Sequence, residues 1–225
     1  ELGRFMFNFL LPKALREWLP QLPEGTAVLL ATNDPSLPWE LLHDGNHFLA
    51  LKFALGRQLL TPMPRYLQTS PQATNEKPFL FLANPTGELA EADKEVYKLI
   101  DLCDRAPDNI VARQISHSRA HKAVVLEAFG SGVYDFIHYS GHATPNGLCL
   151  ADGLLGVAEL TQVLSGRPCI FLNGCQSAAE EKTLQTLPFS GLNVQNLATA
   201  FIMHGARLFI GSAHSLQKNS VSITN

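Results

Sequence analysis

The sequence predicts an α/β domain with a mostly parallel central sheet flanked by helices. Three observations carry this. Short apolar runs of strand length alternate with stretches of helical periodicity, the connections are short, and the pieces form one series with no Gly/Ser linker. The composition agrees: 225 residues, 46% hydrophobic and 16% charged, can bury a sizeable core and are not those of a disordered chain.

Residues 1–25 are read as a connecting segment and residues 26–225 as one domain. The first strand is TAVLLAT (26–32), an apolar run stopped by the turn signal NDPS and read as buried. HFLALKFALGRQL is compatible with strand or helix, its first half looking extended. KPFLFLANP (77–85) is a second buried strand. The stretch after it, GELAEADKEVYKLIDLCD, spaces Leu89, Val96, Leu99, Ile100 and Cys103 as one helical face. Asp101 and Asp104 belong to its solvated side.

The alternation then repeats. NIVARQI is strand-like, and RAHKAVVLEAF is helical up to Gly130. VYDFIHYS is a strand, and GVAELTQVLSG a helix with Gly166 as its stop signal. RPCIFLNG is a strand, NVQNLATAFIMHG a helix and ARLFIG a last strand. EEKTLQTLPFSG reads as a surface loop. No repeat of solenoid period is present.

The bulk properties exclude several functions. A net charge of −3 gives no reason to expect direct nucleic-acid binding, and no basic run suggests a membrane surface. No apolar stretch reaches the roughly 18 residues of a membrane span. The four cysteines show no C-x-x-C spacing, so a reducing, cytoplasmic setting is expected. The N-terminus has no basic leader or A-x-A-like site, so no signal peptide is expected. It also lacks Met, and the chain reads as a piece of a larger protein.

Two stretches share one grammar. In FIHYSGHATPNG an apolar run ends in small residues and His142. In PCIFLNGCQSA a similar run ends in small residues and Cys175. In parallel sheets, ligands sit beyond the carboxyl ends of strands, so both residues are expected at one edge. Cys175 follows His142 by 33 residues with one helix between, enough for a crossover between neighbouring strands.

A cysteine nucleophile needs a base to remove its proton, and histidine is the usual one. The small neighbours of Cys175, Gly174 among them, would let a substrate backbone approach. The amides of Ala143 and Cys175 are candidates for an oxyanion hole. The bland alternative is packing, since free cysteines are among the most buried residues. Cys103, Cys149 and Cys169 are read that way, and Cys175 is open to both readings.

His138 and His142 are four apart, but they run from a strand into a Ser-Gly turn and lack the Glu of H-E-x-x-H. Zinc is therefore not expected, and His138, inside the strand, is read as a satisfied buried or half-buried histidine. There is no G-x-S-x-G, P-loop or G-x-G-x-x-G.

Taken together, these residues resemble a known family. HYSGH, a helix, an apolar strand and NGCQSA are similar to the catalytic segments of caspase-like cysteine peptidases of clan CD, and more narrowly to the bacterial CHAT domain. LPWELLHDGNHFLALKFALGRQL, FLFLANP with EADKEVYKLI, and LATAFIMHGARLFIGS extend the likeness from about Thr26 to Ser212. The resemblance implies a caspase-like three-layer fold and a thiol protease, with His142 as base, Cys175 as nucleophile, and no metal or organic cofactor. It implies that Asn173, two before the cysteine, lines the pocket for the residue before the cut. Strict Arg or Lys specificity would then need a further acid, such as Asp135 or Asp152. By family analogy the partners are a protein substrate and a regulatory partner or fused sensor module, in signalling or antiviral defence.

There are departures. NGCQS is not Q-A-C-[RQG]-G, and 33 residues is shorter than the caspase spacing of about 50. After LFIGS the family's Trp-containing loop and further helix have no match in AHSLQKNSVSITN, so the domain reads as incomplete at its C-terminal end. The switch segments are expected to be EEKTLQTLPFSG and the tail after Ser212, holding the resting dyad apart or the pocket beside Asn173 blocked. Two rivals remain: a catalytically silent caspase-like binding module, and a thiol acyl-transferase acting on a small molecule.

Overall fold

The computed structural model describes residues 1–34, 37–60, 75–107, 109–174 and 197–211. The chain divides into two compact units, residues 1–63 and 64–225.

The first unit contains helices α1 (Leu2–Leu10) and α2 (Lys13–Trp18), strand β1 (Ala27–Thr32), the helical turn α3 (Leu49–Lys52) and strand β2 (Ala54–Leu59). β1 and β2 pair in parallel, Ala27 opposite Ala54. Phe7, Leu11, Leu19, Leu42, Leu49 and Phe53 form its core. Two expectations fail here. The first half of HFLALKFALGRQL is helical and its second half extended, the reverse of the sequence reading; a short apolar run gives no period to separate the two. β1 is not fully buried either. Val28 packs on the core while Leu29, one step along the pleat, is 68% exposed. Lys52 is buried and ion-paired to Asp44 at 3.2 Å, and it also donates to the Pro20 carbonyl.

The second unit runs β3 (Lys77–Ala83), α4 (Ala90–Arg105), β4 (Ile110–Ser116), α5 (Lys122–Gly130), β5 (Phe136–Ser140), β6 (Ala143–Thr144), β7 (Gly147–Leu150), β8 (Gly153–Gly156), α6 (Val157–Val163), β9 (Cys169–Asn173), α7 (Leu197–Met203) and β10 (Leu208–Gly211). Five strands form a parallel sheet in the order β10-β9-β5-β3-β4. One face carries Leu80, Leu82, Ile137, Tyr139, Ile170 and Leu172 against Val125 and Phe129 of α5, Leu160 of α6 and Phe201 of α7. The other carries Phe79, Phe81, Ala83 and Phe136 against Val96, Leu99 and Ile100 of α4. This is the expected three-layer arrangement. No helix among the described residues is long and apolar enough to cross a membrane.

The strands and helices read in this half are present, with Gly166 in the left-handed region at φ 77° past α6. The segment between β5 and β9 holds more than the expected single helix. β6, β7 and β8 form an antiparallel sheet ahead of α6. Its turns, Pro145-Asn146 and Ala151-Asp152, are each followed by glycine, a common type I turn pattern. EEKTLQTLPFSG and the tail after Ser212 lie outside the described residues.

Candidate active site

The order of the sheet locates a crevice. From β3 the chain goes to one side to make β4 and then returns to the other to make β5, so the order reverses between β3 and β5. Open α/β sheets bind ligands beyond the carboxyl ends of strands at such a point. The loop after β3 and the loop after β5 flank it, and β9 lies beside β5.

His142 follows β5 by two residues. Its backbone is anchored: the His142 carbonyl accepts from the Tyr139 hydroxyl and from the Cys149 amide at 2.9 Å. Tyr139 is fully buried, and burial pushes its phenol well above the usual value, so it stays a neutral donor. The imidazole is partly exposed, and its Nε2 lies 3.4 Å from Glu88 Oε2.

Glu88 comes from the loop after β3. Asn84, in the left-handed region at φ 45°, shapes that loop. Its side chain accepts from the Leu89 amide and donates to Asp93, each at 2.8 Å, while its own amide donates to the Ser140 carbonyl.

β9 pairs with β5 so that Asn173 stands opposite Ser140, and the Gly141 amide donates to the Asn173 carbonyl at 3.2 Å. The expectation that the two apolar runs end at one edge as parallel neighbours therefore holds. Gly174 follows; Cys175 lies outside the described residues. A Cβ on Gly174 would come within 2.9 Å of both Ala143 Cβ and the Gly141 carbonyl oxygen. A Cβ on Gly141 would come within 2.8 Å of Pro85 and of the Tyr139 hydroxyl. The protein's own packing thus requires these small residues, apart from any substrate. Ala143 pairs opposite Leu148, next to the hydrogen-bonded His142–Cys149 pair, which turns its N–H away from β7. The Gly174 Cβ position lies 3.5 Å from that nitrogen. His142, Ala143, Asn173 and Gly174 are therefore gathered at one edge.

Beneath them lies a polar cluster that the sequence reading missed. Glu95 of α4 accepts through Oε2 from Ser140 Oγ at 2.7 Å and from Asn173 Nδ2 at 2.6 Å. Its Oε1 stands 3.1 Å from His138 Nε2, without hydrogen-bond alignment. His138 is 2% exposed and packed among Phe81, Phe136 and Phe171. That burial pushes its pKa below the usual imidazole value, against the opposing charge of Glu95. His138 is thus buried in its strand as expected, but its Nε2 has no hydrogen-bond partner among the described residues, so it is not the satisfied histidine the sequence suggests. One signal for Glu95 was available: with Ala92, Val96 and Leu99 it falls on the buried stripe of α4.

The acids named from sequence are elsewhere. Asp135 precedes β5, at the opposite end of the strand, and Asp152 accepts from the Lys122 amide. The acid at Asn173 is Glu95. Cys103, Cys149 and Cys169 are each half-buried rather than fully core. Burial, with the nearby charges of Asp104 and Glu88 respectively, raises the Cys103 and Cys149 thiols. The Cys169 sulfur lies at the start of β9 and accepts from Arg207 Nε at 3.0 Å.

The fold is similar to that of the Arg specific cysteine proteinase gingipain R (RGPB), with a TM-score of 0.57 at 13% identity. That match covers 96% of this chain and 53% of the proteinase chain, so the likeness is one of caspase-type fold over about half of the larger molecule. No curated protein matches the chain in sequence. The CHAT domain matches residues 1–222, nearly the whole sequence, and the chain belongs to the CHAT domain family.

Proposed function

We propose that this domain is a cysteine endopeptidase working through Cys175 and His142. The observation that carries the reading is the junction of neighbouring strand ends. His142 leaves β5 and Gly174 leaves β9 side by side, next to the point between β3 and β5 where the sheet order reverses, with the Ala143 amide turned to the Gly174 side.

The chemistry follows from those positions. With Nε2 facing Glu88, Nδ1 is the nitrogen left for the thiol. His142 takes the Cys175 proton as sulfur attacks the carbonyl carbon of the scissile peptide. The Ala143 and Cys175 amides hold the oxyanion. His142 then protonates the leaving amine as the C–N bond breaks, and water hydrolyses the thioester. Glu88 orients the ring, as the third member does in other nucleophile–base pairs. Control by a partner or ligand, in a cytoplasmic bacterial signalling or defence system, belongs to the same proposal by family analogy.

The test adds the protein to a native cell extract, which supplies substrates and activating partners together, and maps new protein N-termini. We expect new termini with the wild type that vanish with C175A and with H142A. Equal termini from all three would contradict the dyad. No new termini from the wild type would favour the silent binding module.

A further inference from the structure

We infer that Glu95 is a positioning residue that clamps the ends of β5 and β9, and so sets the spacing of the dyad; this rests on the peptidase reading above. One carboxylate oxygen takes both donors. Ser140 is the last residue of β5, two before His142, and Asn173 is the last of β9, two before Cys175. The two are paired across the sheet, and among the described residues the Gly141 amide to Asn173 carbonyl bond ties the strand ends as they leave it.

The ladder fixes register along the strands. It does not fix where the chain goes after the last pair. A third element that grips both terminal side chains does so, because a shift of either strand end must break a charge-assisted hydrogen bond. Glu95 suits this task. It sits in the long helix α4, one residue from the fully buried Val96, so its backbone is held by the core. His138, in the same strand as Ser140, closes the other side of the carboxylate at 3.1 Å. Glu95 does not need to touch substrate to act.

The sharp feature of this assignment is that it needs an acceptor, not a charge. Glutamine can offer its carbonyl oxygen to Ser140 and Asn173 and its amide to His138. The proposal therefore separates from one in which Glu95 is a charged recognition group for a cationic substrate residue.

The experiment compares Glu95→Ala and Glu95→Gln in the whole chain, with Ser140→Ala and Asn173→Ala to complete double-mutant cycles. Substrates are peptides taken from the mapped cleavage sites, with a cationic and a neutral residue before the cut. E95A is expected to lower kcat about ten- to a hundredfold, as misplacement of reacting groups does, with little change in KM and for both peptides. E95Q is expected to restore most of it. S140A and E95A should be less than additive. Amide exchange at Gly141 should quicken in E95A and not in E95Q, a readout independent of proteolysis. Unchanged kcat and exchange in E95A would overturn the clamp while C175A still tests the peptidase reading separately. A loss in KM for the cationic peptide only, shared by E95A and E95Q, would equally overturn it and make Glu95 a substrate-binding residue.

Discussion

Along β5 the side chains divide between two unlike environments. Ile137 and Tyr139 enter the face covered by α5, α6 and α7, where the packing is apolar and closed around Phe129 and Phe201. Phe136, His138 and Ser140 enter the face covered by α4. There the lining changes along the strand from phenylalanines to the His138–Glu95–Ser140–Asn173 cluster, and a cavity of about 380 Å³ lies beside them. Both faces share one set of backbone hydrogen bonds. The difference shows where this fold keeps its stability and where it accommodates charge. The apolar face holds the sheet together, and the other spends part of its area on buried polar groups at the edge where the dyad emerges.

The widest effect on stability should come from the apolar face. Phe129→Ala is expected to lower unfolding free energy by about 3–5 kcal/mol, measured by denaturant titration, because the fully buried ring touches α7 and leaves a cavity behind. An effect no larger than that of a surface substitution would break the contrast between the faces.

Gly174→Ala sits at the edge and should cost less, about 1–3 kcal/mol, by forcing a Cβ against the Gly141 carbonyl oxygen and Ala143 at 2.9 Å. It should also abolish proteolysis, since the strand end carrying Cys175 must move. Full activity in a variant of native stability would show that the contact is slack.

His138 sharpens the comparison on the charged side. Its folded pKa lies below the unfolded value near 6.5, so below that pH the unfolded chain binds the extra proton first. Stability contributed by the neutral ring is complete above about 6.5 and declines as pH falls toward the folded value, by at most about 1.4 kcal/mol per pH unit for one proton. Melting curves between pH 7 and 5 should therefore be flatter for His138→Gln than for the wild type. Identical slopes would mean that His138 does not titrate differently on folding.

What the sequence disclosed follows the same division. Uninterrupted apolar runs such as FLFLA and CIFL mark buried parallel strands, and their ends in small residues mark the edge where His142 and Gly174 meet. The pairing of β5 with β9 was legible from the length of the crossover between them, but the rest of the sheet order was not, because the place of β3 and β4 on the other side of β5 depends on contacts far apart in sequence. The antiparallel β6–β8 sheet was missed although Asn146-Gly147 and Asp152-Gly153 signal its turns, because strands this short give too little alternation to read. Glu95 was missed because a helix rich in acids hides the one that turns inward, and Glu88 because an exposed loop acid carries no local signal of the side chain it faces. Only the stripe of Ala92, Val96 and Leu99 distinguishes Glu95 from its solvated neighbours.

The central claim is that His142 activates Cys175, and alkylation tests it without a known substrate. Iodoacetamide labelling of each cysteine is followed by mass spectrometry from pH 5 to 9 in the wild type and in His142→Ala. The raised thiols of Cys103 and Cys149 serve as internal controls, since they hold their protons at neutral pH. The account predicts that Cys175 labels fastest near pH 7 and that H142A moves its profile toward that of a free thiol, near 8.5. A Cys175 that labels no faster than Cys103 and Cys149, or whose profile is unmoved by H142A, would contradict it.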